Sequence, residues 1–123
     1  MRVLVAGAGG LIGSAVAHHL ASKGHEVVRL VRHAPGAGEV RWDPDGGTID
    51  ADGLEGFDAV IDVATMLWPT RWTSAAKQRM HGNRVGSYRL LAEALAGRTR
   101  KPKVLVCASG MGIYPSSGDE VIT

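Results

Sequence analysis

Short apolar runs alternate with stretches of helical period along this chain. Arg2-Val-Leu-Val-Ala6 is apolar, rich in β-branched residues and stops at glycine. That pattern predicts a buried parallel strand. Beyond it, Leu11, Ile12, Ala15, Val16, His19 and Leu20 recur at helical spacing, and Gly24 supplies a C-terminal stop. Residues 26–31 read as a second strand. Strand, helix and strand within about 30 residues form a βαβ unit, whose crossover is right-handed in nearly all proteins. The glycine-, proline- and aspartate-rich stretch over 34–56 holds one short strand, 39–42, and a turn at Asp45-Gly46-Gly47. A further strand is predicted over 58–64, and then a polar loop containing Pro69. From Ser74 to about Gly97 the period is helical again, with Met80, Tyr88, Leu91 and Leu95 on one face. Gly82 and Gly86 weaken that helix, which predicts a bend or close packing there. The last strand is 103–108. Strands alternating with helices predict an α/β Rossmann-type parallel sheet with helices on both faces, its five strands in the order 3-2-1-4-5.

The first strand–helix junction carries the chemistry. Gly7-x-x-Gly10-x-x-Gly13 lies between strand and helix. In such a turn the first glycine permits the sharp exit from the strand. The second lets backbone amides approach a pyrophosphate, and the third lets the helix pack close to the sheet. The helix start, at Leu11 and Ile12, offers unpaired N–H groups and the positive end of the helix dipole to phosphates. The strand, helix and second strand around the motif supply the context that distinguishes dinucleotide binding from a structural glycine turn. The end of the second strand discriminates between cofactors. NAD binders tend to carry a carboxylate there, whereas this chain reads Leu30-Val-Arg32-His33. The planar fork of Arg32 suits a 2′-phosphate, with His33 assisting, so the expected cofactor is NADP(H). The same two positions also read as solvated loop residues.

Composition narrows the field. Of 123 residues, 45% are apolar and 21% charged, an ordinary globular balance for one domain with a modest core. The net charge is only +2 and the six aromatics form no platform, so no nucleic-acid partner is expected. No run of 18 apolar residues predicts a membrane span. Arg2 and the apolar residues after it mimic a signal peptide only briefly, because glycines interrupt the run. Cys107 is the single cysteine, which excludes an internal disulfide and accords with a reducing, cytoplasmic setting. Its place in an apolar strand reads as a buried small hydrophobe. His18 and His19 point about 100° apart on a helix, and His25, His33 and His81 lack ligand spacing, so no metal site is expected. Trp42, Trp68 and Trp72 read as packing or cleft-lining groups. Asp43, Asp58 and Asp62 read as turn or hydrogen-bonding residues, because nothing in the sequence fixes a carboxylate pair.

These residues together carry a resemblance. The chain resembles the N-terminal portion of the extended short-chain dehydrogenase/reductases. Within them it resembles the atypical subgroup of sugar-nucleotide epimerase-like proteins. The glycine loop is shared by the whole superfamily. The narrower signals are Val40-Arg-Trp-Asp-Pro44, Arg71-Trp-Thr73 with Lys77-Gln78, Asn83-Arg-Val85, and the 103–109 stretch ending in Ser109 and leading to Tyr114. Three departures stand out, one being Asn83, which many extended members share but where this subgroup more often has serine. Ala6 replaces a usual threonine, and Asp62-Val-Ala64-Thr65 stands where the family usually has Asn-Leu-Ala-Gly beside the cofactor. The resemblance implies cofactor contacts at Ala64 and Thr65. It also implies a catalytic role for Ser109, which orients a substrate hydroxyl or carbonyl; a loop cap, or a register slipped to Gly110, is the alternative. The family's catalytic tyrosine is followed four residues later by lysine. Here Tyr88 is followed by Ala92 and Tyr114 by Gly118, so that acid–base pair is missing. The resemblance therefore implies the cofactor-binding portion of an oxidoreductase or epimerase-like enzyme, residues 1–123, without the substrate-binding part and without turnover of its own. A non-catalytic NADP(H)-binding module is the alternative. The substrate is an unidentified small molecule. The edge of the 103–108 strand predicts a homodimer.

Overall fold

The computed structural model of the chain describes residues 1–64, 71–109, 116 and 118–121. Val3, Leu4, Val5 and Ala6 are almost wholly inaccessible, as a strand covered on both faces requires. This strand, β1 (Arg2–Ala6), lies at the centre of the sheet. Helix α1 (Leu11–Ser22) leads to β2 (Glu26–Val31), and β3 (Glu39–Asp43) follows. A two-residue strand, β4 (Thr48–Ile49), then folds back on β3, and a 3₁₀ turn spans Asp52–Leu54. After β5 (Ala59–Asp62) come the long helix α2 (Ser74–Ala96) and β6 (Val104–Cys107).

The sheet order is β4-β3-β2-β1-β5-β6. Every pairing is parallel except β3 with β4. Counting the five parallel strands alone, the order is the expected 3-2-1-4-5. β4 was not expected, since two residues are too few for a periodic signal. Its hairpin is set by the turn after Asp43, whose carboxylate accepts the Gly46 N–H at 3.0 Å. Parity along the strands divides the core in two. Leu4, Ala6, Val28, Leu30, Val40, Trp42 and Val60 meet Leu91 and Leu95 of α2 on one face. Val3, Val5, Ala8 and Ala59 meet Ala17 and Leu20 of α1 on the other.

Three expectations need adjustment. The first strand-plus-helix boundaries hold, but the 58–64 strand is shorter, ending at Asp62. Close packing at Gly82 and Gly86 is not found: among the described residues nothing lies within 4 Å of where their Cβ atoms would stand. Both sit on the outward side of an uninterrupted α2. Cys107 is exposed rather than buried. It lies on β6, which among the described residues has a strand neighbour on one side only, so an apolar strand sequence there does not confer burial. No helix among the described residues is long and apolar enough to cross a membrane.

Candidate functional site

Because the five long strands are parallel, their C-terminal ends share one edge of the sheet, where ligands bind in open α/β folds. The topology brings Gly7, Gly10, Leu11, Ile12, Gly13, Arg32, His33, Ala64 and Ser109 to that edge, each in the segment that follows a strand. Thr65, Trp68 and Tyr114 lie outside the described residues.

The four glycines of the first loop have different reasons for being there. Gly7 has φ +81°, in the left-handed region that only glycine adopts freely. A Cβ on it would also stand 2.7 Å from the Ala64 nitrogen. A Cβ on Gly13 would overlap the Gly7 carbonyl. The fold itself therefore demands both. Gly9 has nothing within 4 Å of the Cβ position, and Gly10 only the Gly7 oxygen at 3.4 Å, an ordinary contact. Packing within the described chain asks for glycine at neither. The Gly10 amide donates to Gly7 O at 3.0 Å, and Gly10 then caps α1 with no side-chain hydrogen bond and no acidic residue in the first turn. The first intrahelical bond is Ser14 N to Gly10 O, at 2.9 Å. The amides of Leu11, Ile12 and Gly13 therefore precede the helical ladder, and the Leu11 and Ile12 side chains are 90% and 66% exposed. An end like this suits an anion.

At the end of β2, Arg32 Nη1 lies 3.3 Å from Asp45 Oδ2. Asn83 Nδ2 on α2 donates to the other oxygen, Asp45 Oδ1, at 2.7 Å. This bridge has no signature in the sequence, because it joins residues 13 and 38 positions apart through the conformation of the β3–β4 turn. The His33 ring is turned toward its own loop: Nδ1 is 2.8 Å from Ala34 O and 4.0 Å from Glu39 Oε2.

At the end of β5, Asp62 is 1% exposed. Its Oδ1 accepts the Ala64 amide at 3.0 Å, while Oδ2 has no partner among the described residues. Burial pushes this carboxyl above the usual carboxylate range, against the Ala64 hydrogen bond and the nearby Arg84 charge. Ala64 itself packs on Gly7. Beside it, the Arg84 guanidinium and the Tyr88 hydroxyl both donate to Ala108 O, each at 2.7 Å. They anchor the chain immediately before Ser109, which is exposed. Burial also raises the Tyr88 phenol, with the Arg84 charge opposing. The sequence flagged Asn83 and Arg84 as one motif, but not that α2 uses them to pin two different loops. Asp43, Asp58 and Asp62 each accept a backbone N–H and form no carboxylate pair.

Comparison with known proteins fits this arrangement. The family described as NAD dependent epimerase/dehydratase matches residues 3–122. The chain is 37% identical over 120 residues to the human epimerase family protein SDR39U1, covering 95% of this chain and 39% of that protein. The crystal structure of that human protein with NADPH superposes with a TM-score of 0.80. A nucleoside-diphosphate sugar epimerase from Corynebacterium glutamicum gives a TM-score of 0.82 at 32% identity, over 99% of this chain and 25% of that one. A short-chain dehydrogenase/reductase superfamily protein from Agrobacterium tumefaciens, with bound NAD, gives 0.65 at 27% identity, over 94% of this chain and 34% of its own. The chain spans about two fifths of the length of the curated relatives it matches.

Proposed function

The chain belongs to the NAD dependent epimerase/dehydratase family, and from that premise we propose that it is the NADP(H)-binding portion of an oxidoreductase or sugar-nucleotide epimerase-like enzyme. The observation that carries this reading is the split among the loop glycines. Gly7 and Gly13 are required by the fold, whereas Gly9 and Gly10 leave open backbone at an uncapped helix start. Bare amides at a helix N-terminus are what a pyrophosphate needs. Gly7 and Gly13 shape the cradle, and the Leu11 and Ile12 amides face the phosphates. Ala64 contacts the dinucleotide, a role the resemblance also implies for Thr65, and Arg32, with His33, takes the 2′-phosphate. The NADPH-bound human relative and the sugar epimerase among the solved structures support the two halves of this reading.

The nicotinamide, when bound, supplies hydride transfer. This chain's own share of the chemistry is binding and orientation. Ser109, held at the sheet edge by the Arg84 and Tyr88 bonds to Ala108 O, orients a substrate hydroxyl or carbonyl. The chain spans about two fifths of the length of the relatives it matches, and we propose that these 123 residues by themselves show no turnover. One observation favours a second reading, a non-catalytic NADP(H)-binding module. The one tyrosine among the described residues, Tyr88, has its hydroxyl engaged at Ala108 O and its phenol raised further from neutrality, so it is unsuited to proton transfer. The single cysteine accords with a reducing, cytoplasmic setting.

The test is a calorimetric titration with NADPH. Gly10→Val should abolish binding while leaving the melting transition in place, because the valine would fill the cradle while its Cβ makes only an ordinary contact with the Gly7 oxygen. Unchanged affinity would refute the site.

A further inference from the structure

Asp45 stands in the turn between β3 and β4, outside every contact that the glycine loop makes. Its carboxylate is nonetheless held in two places. Asn83 of α2 grips Oδ1 at 2.7 Å, and Arg32 meets Oδ2 at 3.3 Å. The bond to Asn83 is the shorter, so α2 fixes the carboxylate and Arg32 is the looser partner. Both members of the ion pair are about half-exposed, and exposed pairs of this kind are weak and easily exchanged. A guanidinium has five N–H donors in a fork, and the described contacts of Arg32 use one terminal nitrogen. Arg32 can therefore turn to a phosphate while Asp45 stays where Asn83 holds it.

The carboxylate that the end of β2 lacks is thus present in space, delivered from the next turn. A tethered carboxylate beside a guanidinium free to turn offers two complementary recognition groups. The guanidinium favours a ribose 2′-phosphate. The carboxylate accepts a hydrogen bond from a free ribose 2′-hydroxyl and repels the phosphate dianion. We propose that Asp45, tethered by Asn83, is a specificity-determining residue of the ribose subsite that keeps the preference for NADP(H) over NAD(H) narrow. The proposal rests on the dinucleotide reading of the glycine loop.

Titrating NADPH and NADH separately into the chain and its variants tests it. The unaltered chain should bind both, with NADPH favoured by no more than about tenfold, equivalent to one charge-assisted contact partly offset. Asp45→Asn keeps the shape and the hydrogen bond to Asn83 but removes the charge. It should tighten NADPH, weaken NADH and widen the ratio by about tenfold. Asn83→Ala, which frees the carboxylate to swing into solvent, should move the ratio the same way by less. Arg32→Ala should leave NADH favoured. An unchanged ratio in Asp45→Asn, or an equal loss for both cofactors as a merely structural turn residue would give, would overturn the proposal. If the unaltered chain bound neither dinucleotide, the glycine-loop reading would fall and this one with it. Binding of both that is insensitive to Asp45 would sink the ribose assignment alone.

Discussion

At Asp62 a carboxyl group is buried with one oxygen accepting the Ala64 amide and the other without a partner among the described residues. A neutral amide would be easier to keep at such a position than a carboxyl. Burial raises the folded-state pKa above that of the unfolded chain. A group shifted in this direction contributes stability that is complete below the unfolded value and is lost as pH rises through the folded one. Asp58 is shifted the other way, chiefly by the Arg2 N–H bond, and its contribution is lost as pH falls. Comparing the chain with Asp62→Asn isolates the first effect. The melting temperature of Asp62→Asn should exceed that of the parent near neutral pH, and the gap should close toward pH 4, about the unperturbed carboxylate value. A gap that does not vary with pH would show that Asp62 is ionised at no cost. The sequence marked Asp62 as a hydrogen-bonding residue, which holds, but it could not reveal the orphaned oxygen. That depends on which atoms of β5, α2 and β6 meet there. Asp45 was illegible for a similar reason: its partners, Arg32 and Asn83, are brought to it by the β3–β4 turn and by α2.

Among the elements, α2 and β6 repay attention. The helix starts well, since Thr73 Oγ1 accepts the Ala76 amide at 3.1 Å. In its middle, Gly82 and Gly86 have no described atom within 4 Å of where a Cβ would stand, at ordinary helical φ. Gly82→Ala and Gly86→Ala should each stabilise the chain by about 0.5–1 kcal/mol, the entropy that glycine loses in a helix. Chemical denaturation checks this, and a loss of stability would mean that another surface packs on those positions. β6 shows the opposite failure of sequence reading. Its apolar, β-branched residues predicted a strand correctly, but Val104, Leu105 and Val106 remain substantially exposed. Periodicity reports the element, whereas burial depends on what lies beside it. Unpaired edges of this kind recruit other strands. Light scattering should therefore find the chain self-associated at micromolar concentration, most simply as a twofold dimer, and Val106→Lys should shift it toward monomer. A clean monomer without the substitution would count against that edge as an interface.

For the molecule as a whole, the order of the parallel strands was legible because each begins or ends at glycine or a charged turn, and because a βαβ unit admits one hand. The site was legible wherever it is a property of a strand end. It was not legible where two loops meet. One feature of the whole is asymmetric: among the described residues, nine buried residues pack under Leu91 and Leu95 of α2, but only four fill the face under α1, and Gly13 is the only buried residue of α1 itself. Free energies of local opening follow such differences. In native-state hydrogen exchange, the amides of α1 from Ser14 to Ser22 should exchange through a low-energy opening that leaves the sheet intact. Those of β1 and the Leu91–Leu95 turn should wait for global unfolding. Adding NADPH should slow the α1 amides most, since the ligand would hold down the helix whose own packing holds it least. The thinner face would then owe its rigidity to the dinucleotide, and exchange at α1 would serve as a direct gauge of occupancy.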